Sequence, residues 1–252
     1  YNPMGPTHGP GFTQRYTNAI RTFNLSDDGT ALTLSNVNET RDAQDLHRRD
    51  YNLAAQIFPG DIRGFTAFSG VFQPQIDLPW LNFVDIVPGS YTVRNDAQQQ
   101  LNQYHTAHVV VYDESTKSNH TVFFGGIARY VPNASGGLDD DTNVPFTSTI
   151  SCISRDSTNA LSEHYFVEQM PGLLGSGAEF IPAAGRDFDD QEILHWTGNE
   201  NSPVLAGYVF GGIESTAANI FFANDGTQSD ASSRWFKVWL VPGNVSVWEP
   251  VS

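Results

Sequence analysis

Three short aromatic strands in this chain end in a pair of small residues followed by an aliphatic one: Phe68-Ser69-Gly70-Val71, Phe124-Gly125-Gly126-Ile127 and Phe210-Gly211-Gly212-Ile213. Gly tolerates φ/ψ that other residues avoid, and it lets backbones approach where a Cβ would collide. A repeated pair at the end of a strand therefore marks a repeated place of crowding. Each doublet follows another strand across a polar turn: Tyr51–Phe58 before the first, Thr106–Tyr112 before the second, Ala178–Ala183 before the third. Two weaker strands come after: Phe146–Ile153 and His164–Glu168 behind the second doublet, Asn219–Ala223 and Trp235–Val241 behind the third. No segment holds a helical i, i+3, i+4, i+7 apolar pattern over three turns, and the polar run Asn95 to Gln103 reads as a loop or a single helical turn. The chain reads as all-β.

Four-stranded sheets arranged around an axis crowd their inner strands, and small residues there supply clearance while aromatics fill the widening gaps further out. That describes a β-propeller, whose radial repetition leaves only short protected edges. In a β-sandwich, the alternative, the same pairs would be incidental bulges. The predicted organisation is one domain over residues 1–252, with blades at about 47–105, 106–168 and 174–241 and a partial blade at 16–37. That partial blade is one hairpin, Tyr16–Asn24 with Thr30–Val37, turning at Asp28-Gly29. It looks like the outer half of a blade. Propellers need at least four blades, so closure requires either a longer polypeptide, whose N-terminal portion completes the first blade, or self-association.

Charge narrows the function classes. Thirteen Lys and Arg against 28 Asp and Glu give −15, which excludes the clustered positive charge that nucleic acid and anionic membranes demand. Only Lys117 and Lys237 are lysines. No apolar run approaches the roughly 18 residues of a membrane span. The opening Tyr1-Asn-Pro-Met-Gly-Pro-Thr-His-Gly-Pro-Gly11 has neither a basic start nor an apolar signal core. Acidity, few lysines, abundant Asn, Ser and Thr, and sequons at Asn24, Asn38, Asn119, Asn133 and Asn244 suit an exported or cell-surface protein. The lone Cys152 rules out an internal disulfide.

The repeated strand ending in Gly-Gly resembles the kelch and galactose-oxidase-like propellers, although Trp80, Trp196, Trp235, Trp239 and Trp248 do not repeat at kelch spacing. Over most of its length the chain also resembles exported proteins of Bacteroidota, many of them cargo of type IX secretion. Asn2-Pro-Met-Gly-Pro-Thr-His-Gly-Pro-Gly-Phe12, His47-Arg-Arg-Asp-Tyr51, Phe65-Thr-Ala-Phe-Ser-Gly-Val-Phe72 and Met170-Pro-Gly-Leu-Leu-Gly-Ser-Gly-Ala-Glu-Phe180 carry that resemblance. It implies a fold and an exported location and brings no established activity.

Candidate chemistry lies just before the inner strands, which should open onto a central channel. Arg48, Arg49 and Asp50 precede the first, His105 the second and Glu179 the third, giving a polar ring suited to a ligand. Paired Arg side chains grip carboxylate or phosphate, or else are neutralised by Asp42, Asp45 and Asp50 as a joint between blades. His105 and His108 fall on opposite faces of a strand, which argues against a shared metal. Asp139, Asp140 and Asp141 could offer oxygens to calcium but lack EF-hand spacing, and a solvated acidic loop is the preferred reading. No cofactor is predicted. The expected role is a binding or structural module for a glycan or protein. The alternative is a secreted enzyme, either a copper oxidase resembling galactose oxidase, with Cys152 as its Tyr-linked thiol, or a glycan-cleaving enzyme.

Overall fold

The computed structural model describes residues 15–198, 202–220 and 226–241, and all its regular structure is β. In chain order the strands are β1 Ala19–Asp27, β2 Leu32–Arg41, β3 Asn52–Phe58, β4 Ile62–Phe68, β5 Phe83–Val87, β6 Ser90–Arg94, β7 His108–Asp113, β8 Ser118–Phe124, β9 Tyr130–Pro132 and β10 Leu138–Asp140. They continue with β11 Thr149–Arg155, β12 Leu161–Gln169, β13 Leu173–Pro182, β14 Ile193–Trp196, β15 Val204–Ser215, β16 Ser229–Ala231 and β17 Trp235–Leu240. Three principal sheets coincide with the three sequence repeats. The first is the meander β3-β4-β5-β6; the second is β12-β11-β8-β7, with β14 added parallel to β7; the third is β13-β15, with β16 and β17 both paired to β15. Among the described residues no sheet closes on itself.

One expectation falls largely outside the described residues and another is corrected. The third sheet is three strands deep among the described residues. Asn219 and Ile220 are not in a strand, and residues 221–223 of the expected fourth strand lie outside the described set, as do Asn2 to Phe12, Asn244 and Trp248. The hairpin turn also spans four residues, because the Asp28 carboxylate accepts from the N–H groups of Thr30 and Ala31 and takes up the donors a two-residue turn would leave to the ladder.

All three doublets have both residues at positive φ: Ser69 at 52° and Gly70 at 100°, Gly125 at 63° and Gly126 at 98°, Gly211 and Gly212 at 74° each. The crowding is real where sheets meet. A Cβ on Gly125 would run into the Leu174 carbonyl of the third sheet, and one on Gly126 would sit 3.0 Å from the Thr106 Cβ.

Sheets pack through equivalent positions. Phe68 meets Phe123 of the second sheet edge-on at 5.3 Å, within a core that includes Ala54, Phe83, Tyr112 and Ile153. Phe124, its repeat equivalent, stacks against Phe180 of the third sheet at 6.4 Å, beside Ala178 and Val209. A buried polar joint also ties the first two sheets. Arg155 of β11 donates to both Asp85 oxygens (2.6 and 3.0 Å) and to Thr66 Oγ1, with its guanidinium 4.6 Å from the Phe58 ring, while Arg94 reaches the same carboxylate at 3.0 Å. Enclosed ions persist only when paired this fully.

Candidate functional site

Each principal sheet has one exposed lead-in residue in the left-handed region: Asp50 at φ 54° ahead of β3, His105 at 37° ahead of β7 and Gly177 at 69° within β13. The residue before each of them pairs with the aliphatic residue that closes the doublet: Arg49 with Val71, Tyr104 with Ile127, Ser176 with Ile213. The three lead-in residues are also chained together. The His105 N–H donates to the Asp50 carbonyl at 3.0 Å, and the Gly177 N–H donates to the His105 carbonyl at 2.7 Å. The same hydrogen bond thus relates the first sheet to the second and the second to the third. Asn52 braces this line, its side chain donating to the Gln103 carbonyl and accepting from the Thr106 N–H, both at 2.8 Å.

The structure brings together some of the expected ring and redistributes the rest. Arg49 and Asp50 lie at the surface, with Arg49 Nε 3.2 Å from the Asp50 carboxylate and the guanidinium over the Phe72 ring at 4.9 Å. His105 is exposed one step along the chain of lead-in residues. Its third counterpart is Gly177; Glu179 lies two residues further, exposed and opposite Phe210 in β15. The charge of Glu179 nonetheless reaches His108, where burial pushes the imidazole below its ordinary pKa and Glu179 works against that shift. Arg48 faces inward. Its guanidinium donates to the carbonyls of Asp45, Ser69 and Asn82 and lies 4.5 Å from the Trp80 ring, and burial pushes its pKa down to about 10. Of the acids expected to neutralise the Arg pair, Asp50 holds Arg49, Asp45 acts on Arg48 through its charge while a main-chain oxygen takes the hydrogen bond, and Asp42 bonds Tyr91 instead.

The acidic run is divided among separate partners. Asp139 accepts from Asn133, Asp140 holds Arg129 at 2.6 and 3.0 Å, and Asp141 accepts from Asn219 and from the Asn143 N–H. Among the described residues no group of three or more His, Cys, Asp or Glu is placed to hold one metal ion. Cys152 sits mid-strand between Val122 and His164. Its thiol is buried, pushed up to about 12 by that burial, and has Ser154 Oγ at 3.7 Å. Asn119 uses its whole side-chain amide on the backbone of Ile57, so that buried sequon is closed to a glycan.

Two polar sites escaped the sequence. Burial raises the Glu163 carboxyl to about 7 even though it accepts from the N–H groups of Gln100 (2.8 Å) and Leu101 (3.0 Å). His195 on β14 places Nδ1 2.6 Å from Glu114 and Nε2 3.2 Å from Asp189; burial opposes the charge, but the two carboxylates win and raise its pKa. Asp189 also binds Arg63. This cluster pins β14 beside β7 at the edge of the second sheet, where the Glu114 N–H donates to the Trp196 carbonyl. Neither site has a local sequence signal, because the partners come from distant segments. Comparison of the chain with protein-family models, with curated proteins and with solved structures gives no match. Among the described residues no helix is long and apolar enough to cross a membrane.

Proposed function

We propose that the three sheets are blades of a kelch-like β-propeller, and that the protein is an exported, cell-surface binding module that takes a glycan or protein ligand at the rim formed by Arg49, Asp50, His105 and Glu179. The observation that supports this reading is the repeated hydrogen bond between exposed lead-in residues, which lines up one exposed position per sheet along a single path, Asp50 and His105 in the first two and Gly177 in the third, with Glu179 two residues beyond it. Radial folds commonly present their ligand sites where inner strands begin, and exposed polar groups held by rigid strands are pre-organised for recognition. The net charge of −15 and the scarcity of lysine support an extracellular setting. The type IX secretion resemblance belongs to the same reading. For the copper-oxidase alternative, the thiol environment is unfavourable: Cys152 is enclosed within β11 and lies opposite Val122 and His164.

The test is a glycan array and a cell-surface protein capture run in parallel with wild type and with the His105→Asn/Glu179→Gln double variant. Asn accepts the left-handed backbone at position 105, so the fold is preserved. Retention on either format that drops at least about tenfold in the variant supports the rim, since tenfold corresponds to about 1.4 kcal/mol of lost contact. Undiminished retention places the ligand elsewhere.

A further inference from the structure

The third sheet presents two unlike faces. Phe180, Val209, Phe236 and Val238 point at the second sheet and pack with Val109 and Phe124. Alternation along a strand puts their neighbours on the other side. There Glu179 of β13, Phe210 of β15 and Trp235 of β17 stand in one row across the sheet, and Tyr208 and Lys237 stand in the next. Trp239 follows two residues beyond Lys237 on the same side of β17. Trp235 is 56% exposed and Trp239 50%, with Glu179 and Lys237 exposed beside them.

The central ring is held in place by its neighbours. Trp235 stacks on Phe210 at 4.0 Å with 26° between the planes, and Tyr208 meets it edge-on at 6.1 Å. Phe210 backs one side of the indole, and the opposite side faces solvent. A large ring fixed in this way gives contact area at little conformational cost when a ligand lies on it. Among the described residues Glu179 and Lys237 make no side-chain hydrogen bond or ion pair, so both keep their bonding capacity for a ligand.

Aromatic rings interleaved with charges select among ligands. The core of a protein–protein contact is depleted of Lys and Glu, and burying either one without a partner is costly. A sugar ring offers what this face lacks. Its C–H bonds are drawn to the electron-rich face of an aromatic ring, while its hydroxyls donate to a carboxylate and accept from an ammonium. Glu179 and Lys237 cancel locally, and a net charge of −15 repels a polyanion, so the matching glycan is neutral. Four strand residues take the chain from Trp235 to Trp239, about 13 Å, which is wider than one sugar ring and calls for a chain of them. We infer that the solvent face of the third sheet binds a neutral oligosaccharide chain, with Trp235 and Trp239 each underlying a sugar ring and with Glu179 and Lys237 bonding its hydroxyls. This rests on the reading of the protein as a binding module, narrows its ligand to a glycan and extends the site from Glu179 of the rim onto the sheet.

Native electrophoresis of the full chain through gels containing hydroxyethylcellulose, arabinoxylan, glucomannan or dextran tests it, with alginate as the polyanion control. The negative charge carries the protein into the gel. At least one neutral polysaccharide should retard the wild type and alginate should not. Trp235→Ala and Trp239→Ala should each weaken that retention about tenfold or more, as loss of an aromatic anchor does. Trp239 stacks on no other ring among the described residues, so its variant carries the test if Trp235→Ala disturbs the fold. Lys237→Met keeps the apolar stem, removes the charge and should weaken binding several-fold. No retardation, retardation by alginate alone, or retention unchanged in both Trp variants overturns the inference. Loss of cell-surface protein capture in the Trp variants, with no polysaccharide bound by wild type, overturns it in favour of a protein ligand. His105→Asn separates the face from the rim. Polysaccharide binding lost in His105→Asn but kept in the Trp variants overturns the face alone; binding lost in the Trp variants but kept in His105→Asn supports the face and overturns the rim.

Discussion

Replacing Gly125 by Ala isolates what the small-residue doublets do. Gly125 and Gly211 hold the same place in successive repeats, at φ 63° and 74°, so either substitution forces an L side chain into the left-handed region at about 1–2 kcal/mol. Their surroundings differ. A Cβ on Gly211 meets nothing within 4 Å, whereas one on Gly125 meets the Leu174 carbonyl oxygen of the next sheet and the Thr147 carbonyl oxygen at 3.2 Å. Backbone cannot swing aside as a flexible side chain can, so the third sheet must shift, at about 1–3 kcal/mol for overpacking. The shift also strains the 2.8 Å bond from the Gly126 N–H to the Leu174 carbonyl, a further loss of about 1 kcal/mol. The expected totals are about 3–6 kcal/mol for Gly125→Ala and about 1–2 kcal/mol for Gly211→Ala. Urea unfolding followed by tryptophan fluorescence at sub-micromolar protein reads both, and the difference between the two variants is the inter-sheet term alone. Equal losses would refute the idea that the doublets exist to let neighbouring sheets approach.

Other expectations follow from the buried polar groups. Arg155→Met leaves Asp85 with Arg94 as its only ionic partner and should cost about 3–5 kcal/mol by the same unfolding assay. The folded-state pKa of Glu163 is raised from 4.5 to about 7, so its contribution is fully present below the unfolded value and is lost as pH rises through 7. That loss is about 3 kcal/mol at 1.36 kcal/mol per unit, and Glu163→Gln should flatten the pH dependence of the midpoint between pH 4.5 and 8. His195 behaves in the same direction, since its raised pKa adds stability below its unfolded value that disappears as pH climbs through the folded one; His195→Gln should remove this and increase hydrogen exchange in β14. Leu34→Ser, on the fully exposed hairpin, should change single-chain stability by less than about 0.5 kcal/mol.

The doublets were legible because missing side chains are a local mark of close approach, and all three proved to sit at positive φ. The strand pairs around them were legible for the same kind of reason, through alternating β-branched and aromatic residues between turns. What stayed hidden depends on distant partners. Gln99, Asn102 and Gln103 belong to a polar run that reads as a loop or a single helical turn, yet all three are fully buried. Gln103 is held there by the carbonyls of Gly125 and Thr149, each accepting at 2.8 Å, and by the Ser151 hydroxyl. Strand β14 is only four residues of mixed character, and its parallel pairing with β7 is fixed by the carboxylates around His195. At the candidate site, the sequence marked the right stretches but not which way each side chain turns. Arg48 and Arg49 are neighbours, and one is locked inward by three carbonyls while the other lies at the surface.

The most direct measurement is an experimental structure of the chain, from which the rotation carrying the first sheet onto the second is compared with that carrying the second onto the third. Radial repetition predicts the same rotation about one shared axis, with Asp50, His105 and Gly177 ringed closest to it. Two unrelated operators, or a simple translation between stacked sheets, would contradict the propeller reading and the rim with it.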